Sequence, residues 1–183
     1  RDKELIEGDG KPLVDSLAPP SPSAPAVIFF TSGSTGSPKG VTHTHETLGW
    51  MLAIAAAGLE LKSDDLLLAG SSLSHVGAFY VSFAALSVGA GTIVARTFDG
   101  DELLPLLRDE RPTVLSGFAI DEAYGMTEVG LVTVSPPSGR IKLGSVGQIV
   151  PGVSLSIRSE QGQELSAGSE GRVWIKSSAA TVG

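Results

Sequence analysis

Short apolar runs alternate with longer helical segments over residues 26–116, and this alternation predicts an α/β fold. The runs typical of strands are "AVIFF", "DDLLLAG", "TIVAR" and "PTVLS". The segments of helical length are "THETLGWMLAIAAAGLEL", with Thr44 as the predicted N-cap and Glu46 in the first turn, "HVGAFYVSFAALSVG", and "DELLPLLRDE", which Pro105 interrupts. This order predicts a doubly wound parallel sheet, and the unbroken apolar run "AVIFF" predicts a strand buried on both faces within it.

The pattern changes after Ala123 to short strands separated by Gly, Pro and Ser. The strands predicted here are "LVTVS", "SVGQIV", "SLSIRS" and "RVWIKS", and "EQGQ" is a predicted hairpin turn. Near the start of the chain, "LAPPSPSAP" has four prolines in nine residues and predicts an extended linker. We therefore expect a proline-rich lead-in over residues 1–25, an α/β part over residues 26–116, and a more antiparallel, β-rich part of the same domain over residues 117–183.

The junction between Ser116 and Gly117 is physically awkward. The run "PTVLS" ends at Ser116, and the next strand-like run, "GFAI", begins at once. Parallel neighbours need a crossover of about a dozen residues or more, and a hairpin needs a turn dipeptide. Either the two runs form one long strand, or residues that would separate them are absent from this chain.

Composition narrows the classes of partner and compartment. With 13 Lys and Arg against 20 Asp and Glu, the formal charge of −7 has the wrong sign for binding nucleic acid. The chain has no cysteine, which excludes a disulfide framework and a thiolate metal site. A reducing, cytoplasmic location fits this composition, and the opening residues lack the charged-then-apolar pattern of a secretory signal.

One uncharged segment has the length of a membrane span, the twenty residues from Val76 to Ala95. The "GAG" break at Gly89 to Gly91 divides it into a part of helical length and a part of strand length. We therefore expect a buried helix, a turn and a strand, with no membrane span. Peripheral contact with a membrane surface stays open.

The stretch "TSGSTGSPKG", residues 31–40, combines small and hydroxyl-bearing residues with a single lysine. A flexible linker is the simplest alternative, but a linker needs neither the apolar strand before it nor the helix after it. A phosphate-binding loop uses glycines to bring backbone N–H groups around an anion, hydroxyls as further donors, and a lysine as a point charge. The spacing does not fit the Walker pattern, so the stretch predicts a phosphate loop of another kind.

The chain resembles the adenylate-forming superfamily, which includes acyl-CoA synthetases, adenylation domains of peptide synthetases and beetle luciferases. The resemblance rests on "TSGSTGSPKGV", on "DEAYGMTEVG" at residues 121–130, and more weakly on "GSVGQIVPGV" at residues 144–153 and "EGRVWIKSSAATVG". It implies a two-step reaction: a small-molecule carboxylic acid reacts with ATP to give an acyl adenylate and pyrophosphate, and a thiol, usually coenzyme A, then takes the acyl group. The implied cofactors are ATP, Mg²⁺ and coenzyme A.

The same resemblance implies roles for individual residues. Lys39, Thr127 and Glu128 would be catalytic, with Thr127 at the α-phosphate and Glu128 holding Mg²⁺. Tyr124 would stack on the adenine. The implied ATP-binding residues are Thr31, Ser32, Gly33, Ser34, Thr35, Gly36 and Lys39, around the β- and γ-phosphates, and Glu122, Ala123, Tyr124, Gly125, Met126 and Thr127.

The branch of the family is indicated by His75 and Met126. His75, followed by Val76 and Gly77, matches a position that lines the acyl pocket in many acyl-CoA synthetases; a histidine at a helix start with satisfied hydrogen bonds is the alternative. Adenylation domains for amino acids resemble one another in an Asp there and a Pro in place of Met126. Both features favour a ligase for a fatty or other acyl acid. The alternatives are an amino-acid-activating domain and a noncatalytic nucleotide-binding fragment.

Several polar residues predict no chemistry. His43 and His45, in "THTHE", are weak metal ligands without a third partner, and we expect them to be solvated or to cap the helix. The pair Asp64 and Asp65 is predicted to be solvated surface. The family's small C-terminal domain, whose rotation switches between the two half-reactions, is absent from these 183 residues.

Overall fold

The computed structural model describes residues 18–32, 37–96, 99–116, 122–139 and 142–183. Its elements, in chain order, are β1 (Pro25–Thr31), β2 (Lys39–Thr44), α1 (His45–Gly58), β3 (Leu66–Ala69), α2 (Val76–Ser87), β4 (Gly91–Val94), α3 (Gly100–Asp109), β5 (Val114–Ser116), β6 (Ala123–Met126), β7 (Gly130–Val134), β8 (Gln148–Ile149), β9 (Val153–Arg158) and β10 (Arg172–Ser177).

A parallel sheet with the strand order β4-β3-β5 lies in the first part of the chain, as the alternation of elements predicts. Strand β3 is central, and its Leu67 pairs with Thr92 of β4 and Val114 of β5. Helix α2 connects the parallel pair β3 and β4, and α2, β4 and α3 lie between the parallel pair β3 and β5. Leu67 and Leu68 are completely buried, which explains the unbroken apolar run of this strand.

Helix α1 begins where its capping pattern predicts. The Thr44 hydroxyl accepts a hydrogen bond from the backbone N–H of Thr47 at 3.2 Å, and the Thr47 hydroxyl accepts one from the N–H of Thr44 at 2.9 Å. This reciprocal pair satisfies two donors that a helix N-terminus otherwise leaves unpaired. Glu46 lies in the first turn, where its negative charge interacts favourably with the positive end of the helix dipole.

The prediction for "AVIFF" is wrong in two respects: β1 is not a strand of the parallel sheet, and it is not buried on both faces. It pairs antiparallel with β2, with Thr31 opposite Lys39 and Phe29 opposite Val41. Only one face of this two-stranded ribbon is covered, because Phe29 is buried whereas Ile28 and Phe30 are 51% and 77% exposed. Because apolar residues occupy both faces of β1, its sequence resembles that of a strand buried on both faces.

The second part of the chain is antiparallel, as predicted. Strands β6, β7 and β8 form one sheet and β9 and β10 form another. The predicted turn "EQGQ" follows β9, where the N–H of Gly162 donates to the carbonyl of Ser159 at 2.9 Å. The predicted strand "GFAI" lies outside the described residues.

One hydrophobic core joins the two parts. Its buried members include Met51 and Ala55 of α1, Ala84 of α2, Leu67 of β3 and Leu131 of β7. The segment from Val76 to Ala95 forms α2, a turn at Gly89 with φ of 85°, and β4, as expected. Among the described residues, no helix combines the length and the apolar character needed to cross a membrane.

Candidate active site

A cavity of about 440 Å³ lies between the first turn of α2 and the end of β6. Ser71 and Ser116, which follow or end strands β3 and β5, place it at the carboxyl ends of the parallel strands, where open α/β sheets bind ligands. Its lining residues are Leu59, Ser71, His75, Val76, Gly77, Ala78, Tyr80, Val81, Ser116, Ala123, Gly125, Met126, Thr127, Gly130, Leu131 and Val134. The cavity thus brings together His75, Val76 and Gly77 with four residues of the "AYGMT" segment.

His75 is the N-cap of α2. Its Nδ1 accepts a hydrogen bond from the backbone N–H of Gly77 at 3.1 Å. Since Nδ1 is an acceptor, a neutral ring carries its proton on Nε2. The cap therefore fixes the tautomer of a neutral His75 ring.

The β6–β7 hairpin positions Thr127. The strands approach so closely that a Cβ atom on Gly125 would lie 2.5 Å from the carbonyl oxygen of Gly130. The turn after β6 is closed by a hydrogen bond of 3.1 Å from the N–H of Val129 to the carbonyl of Met126. Glycine at position 125 is thus required for the turn that carries Thr127 and Glu128.

Two hydrogen bonds attach the Thr127–Glu128 backbone to the segment around β2. The Nε2 of His43 lies 2.9 Å from the Thr127 carbonyl. The N–H of Thr181 donates to the Glu128 carbonyl at 2.7 Å, and the Thr181 hydroxyl donates to the carbonyl of Thr42. The two halves of the predicted site, far apart in sequence, are therefore joined at consecutive carbonyls.

The expectation of a solvated or helix-capping His43 is wrong. Its side chain is fully buried, with its Nδ1 3.3 Å from the Thr47 hydroxyl and its ring 6.2 Å from the Phe29 ring. The alternation of Val41 and His43 on the inner face of β2 is the signal that would have shown this. His45 is exposed in the first turn of α1. Nowhere in the described ranges do three His, Asp or Glu side chains come together as metal ligands.

The stretch predicted to be a phosphate loop connects β1 to β2, and not a strand to a helix as predicted. Gly33, Ser34, Thr35 and Gly36 lie outside the described residues. Thr31 and Lys39 face each other at the base of the loop, and Ser32 and Lys39 are exposed. Thr31, Ser32 and Lys39 do not line the cavity.

Glu122 connects the "YGMTE" strand to the third motif. Its Oε1 accepts a hydrogen bond from the N–H of Gly144 at 3.3 Å, and its carbonyl accepts one from the N–H of Ser135 at 3.0 Å. Its Oε2 is buried without a hydrogen-bond partner. Glu122, Tyr124 and Glu128 are half-buried and lie outside the lining of the cavity.

Asp65 lies at the opposite end of β3 from the cavity. It was predicted to be solvated surface, but its carboxylate accepts two hydrogen bonds from the protein. The Thr113 hydroxyl donates to its Oδ1 at 2.7 Å, and the N–H of Lys62 donates to its Oδ2 at 2.7 Å. These bonds, the one from Thr113 first, lower the pKa of Asp65 because they stabilise the carboxylate. The carboxylate therefore ties the start of β3 to the residue before β5.

The chain belongs to the AMP-binding enzyme family, whose sequence profile matches residues 2–119 and 116–183. The match falls in two parts that meet at residues 116–119, the awkward junction of the sequence. It agrees with the adenylate-forming resemblance and with the α/β fold carrying an antiparallel portion.

Individual relatives are CoA ligases. The indoleacetate–CoA ligase of Aromatoleum aromaticum is 25% identical over 202 residues, covering 85% of this chain and 40% of the ligase. The malonate–CoA ligase of Arabidopsis thaliana is 26% identical over 238 residues, covering 95% of this chain and 37% of the ligase. Among solved structures, ATP-bound MatB of Rhodopseudomonas palustris is similar, with a TM-score of 0.74 and 25% identity over 85% of this chain and 40% of that one.

The chain spans about 40% of the length of these relatives. Both alignments with the ligases are longer than the 183 residues of this chain. Within the aligned regions, the ligases therefore contain residues that have no counterpart in this chain.

Proposed function

We propose that the protein activates a carboxylic acid with ATP and transfers the acyl group to coenzyme A. In the first step a carboxylate oxygen attacks the α-phosphorus of ATP, the bond to pyrophosphate breaks, and an acyl adenylate forms. In the second step the sulfur of the thiol attacks the acyl carbonyl, AMP leaves, and a thioester results. Family membership and the ligase relatives support this reaction class.

The observation that carries the proposal is the shared cavity. The His75–Gly77 turn, implied to hold the acyl group, and Thr127, implied to contact the α-phosphate, line the same space. An acid bound beside His75 would have its carboxylate near the phosphoryl group held by Thr127. Holding both reactants in contact converts a bimolecular encounter into a step within one complex.

Each remaining residue has a role that its position supports. Lys39, exposed at the base of the phosphate loop, would place its positive charge near the β- and γ-phosphates. Thr127 and Glu128 offer a hydroxyl and a carboxylate, hard oxygen donors suited to Mg²⁺ held mainly by phosphate and water, and bound Mg²⁺ would neutralise phosphate charge.

The cavity favours an apolar acyl or aryl group, a fatty acid among them. Val76, Ala78, Val81, Leu131 and Val134 form much of its wall. A volume of about 440 Å³ is in the range of small-molecule pockets. We therefore expect a small or medium-sized acid with one carboxylate.

The direct test is acid-dependent pyrophosphate release from MgATP by the full-length protein. The panel of acids is octanoate, benzoate, indoleacetate and malonate, with phenylalanine to detect an amino-acid-activating domain. We expect release with at least one acid other than phenylalanine. Lys39→Ala and Glu128→Ala should each abolish it, whereas Lys62→Ala, which changes an exposed lysine elsewhere, should not.

Two results would contradict the proposal. Release that survives both Lys39→Ala and Glu128→Ala would refute the assignment of these residues. ATP binding without release for any acid would favour the alternative of a noncatalytic nucleotide-binding fragment.

A further inference from the structure

We propose that His43 is a positioning residue that holds Thr127 and Glu128 in place for MgATP. This inference rests on the proposed function and adds a residue to it. His43 lies on β2, four residues after Lys39, and its ring reaches the turn after β6. It thereby connects the strand that leaves the phosphate loop to the turn that carries Thr127.

The hydrogen bonds of His43 define its protonation. A carbonyl oxygen only accepts, so the contact of 2.9 Å to Thr127 requires a proton on Nε2. In the neutral ring Nδ1 is then an acceptor, and the Thr47 hydroxyl, 3.3 Å away, donates to it when its proton is not directed to its other acceptor, the Thr44 carbonyl, also at 3.3 Å. Both ring nitrogens are thus used, and the ring orientation is fixed from two sides.

Burial makes this arrangement specific. The His43 side chain is fully buried, and the Phe29 ring packs edge-on to it at 6.2 Å. A buried polar ring is costly unless its nitrogens are paired, so its partners determine where it can lie. Thr47 belongs to the capping box of α1, which gives the ring a rigid support.

The restrained group is the backbone of the proposed catalytic turn. Thr127 is held through its carbonyl by His43, and Glu128 is held through the next carbonyl by Thr181. A displacement of about 1 Å in a positioned group can reduce a rate by about a hundredfold. Loss of the His43 bond should therefore weaken interactions made by Thr127 and Glu128 and leave those of Lys39 intact.

Three substitutions separate the two hydrogen bonds of the ring. The amide nitrogen of glutamine lies near the position of Nε2, so His43→Gln keeps the bond to Thr127. The amide of asparagine lies near the position of Nδ1, so His43→Asn keeps only the contact with Thr47. His43→Leu removes both bonds and keeps an apolar side chain.

The measurement is titration calorimetry of the full-length protein with ATP, once with Mg²⁺ and once with EDTA. We expect His43→Leu and His43→Asn to weaken MgATP binding about tenfold, the effect of one hydrogen bond, and His43→Gln to stay within about threefold of wild type. Binding of ATP in EDTA, which depends on Lys39 and the phosphate loop, should change little in all three. Ile54→Val, a buried substitution in α1, controls for lost stability. It should leave the ratio of the dissociation constant for MgATP to that for ATP, called here the MgATP-to-ATP ratio, unchanged.

The outcomes separate this inference from the proposed function. If wild type binds neither ATP nor MgATP, the proposed function fails and the role of His43 fails with it. If wild type binds MgATP and the Leu, Asn and Gln variants are equal in the MgATP-to-ATP ratio, only the role of His43 is refuted. The role of His43 would also be refuted if the MgATP-to-ATP ratio changed in proportion to the melting temperature across all four variants, Ile54→Val included.

Discussion

Gly125 lies where the backbones of strands β6 and β7 approach closely. A Cβ atom there would be 2.5 Å from the carbonyl oxygen of Gly130, which is backbone and cannot rotate away. We expect Gly125→Ala to lower the free energy of unfolding by about 1–3 kcal/mol, the usual cost of overpacking. Urea denaturation measures this change.

Gly49 provides the opposite case on helix α1. A Cβ atom there meets nothing within 4 Å. Gly49→Ala should therefore stabilise the protein by about 0.5–1 kcal/mol, because alanine loses less conformational freedom in a helix. If Gly125→Ala and Gly49→Ala changed the free energy of unfolding equally, the result would contradict the close approach of β6 and β7.

Asp65 should make stability depend on pH in the acid range. Its folded-state pKa lies below the ordinary value, so its contribution is complete above about pH 4 and is lost as the pH falls through the folded-state pKa. The difference in unfolding free energy between wild type and Asp65→Asn should shrink from pH 6 to pH 3. Denaturation at several pH values measures it, with Asp64→Asn, an exposed neighbour, as the control that should show no such trend.

At the scale of elements, the capping box joins β2 directly to α1. Thr44→Val keeps the volume of the side chain but removes the hydroxyl that accepts from Thr47, so we expect a loss of about 1 kcal/mol. Thr44→Ser keeps the hydroxyl and should cost less. Thermal and urea denaturation of the pair check this order, and a reversed order would mean that the methyl group matters more than the cap.

Most elements could be predicted because each has a pattern of its own. Helices α1 and α2 and strands β3 and β4 are long or apolar enough to be recognised locally. Strand β2 could not be predicted, because "KGVTHT" has one large apolar residue and is defined by its pairing with β1. Because β2 was not predicted, β1 was assigned to the wrong sheet, and the predicted phosphate loop was assigned to a strand–helix connection and not to a connection between two strands.

The grouping of residues at the candidate site could be predicted in part from motifs, whereas contacts that depend on strand register could not. The residues implied by the family resemblance include His75 and Thr127, and the structure places both on one cavity. The assignment of roles to these residues stays a prediction. His43 was missed because its burial depends on β2 being a strand paired with β1, and the alternation of Val41 and His43 is informative only once that strand is recognised.

At the scale of the molecule, the described residues leave apolar surface uncovered. Ile28 and Phe30 are neighbours on the open face of the β1–β2 ribbon. Leu104 on α3 and Leu143 are 66% and 87% exposed. An exposed apolar patch such as the one formed by Ile28 and Phe30 marks a contact with other protein segments.

We therefore expect a polypeptide of these 183 residues to self-associate as its concentration rises. Replacing Ile28 and Phe30 together by threonine, which suits a strand, should reduce the association because it removes apolar area from the open face. Sedimentation velocity over a range of concentrations measures it. Phe29→Thr, on the buried face, should instead lower the melting temperature, and a monomer at every concentration in the wild type would contradict the expectation.

The junction after Ser116 also belongs to this scale. The family profile matches in two parts that meet there, and the ligase alignments contain segments with no counterpart in this chain. The physical difficulty of joining two strand-like runs without a connection and the break in the family match thus coincide. The division of the chain at residues 116 and 117 remains a prediction.

The Thr181–Thr42 hydrogen bond has a consequence for the order of folding. Its two residues are 139 positions apart, so it can form only after nearly all of the intervening chain has been synthesised and brought together. Closing so long a loop is favourable only when the elements between have already packed. We expect the support of Glu128 to be among the last native contacts to form, so nucleotide-binding competence should develop after the helices and the parallel sheet.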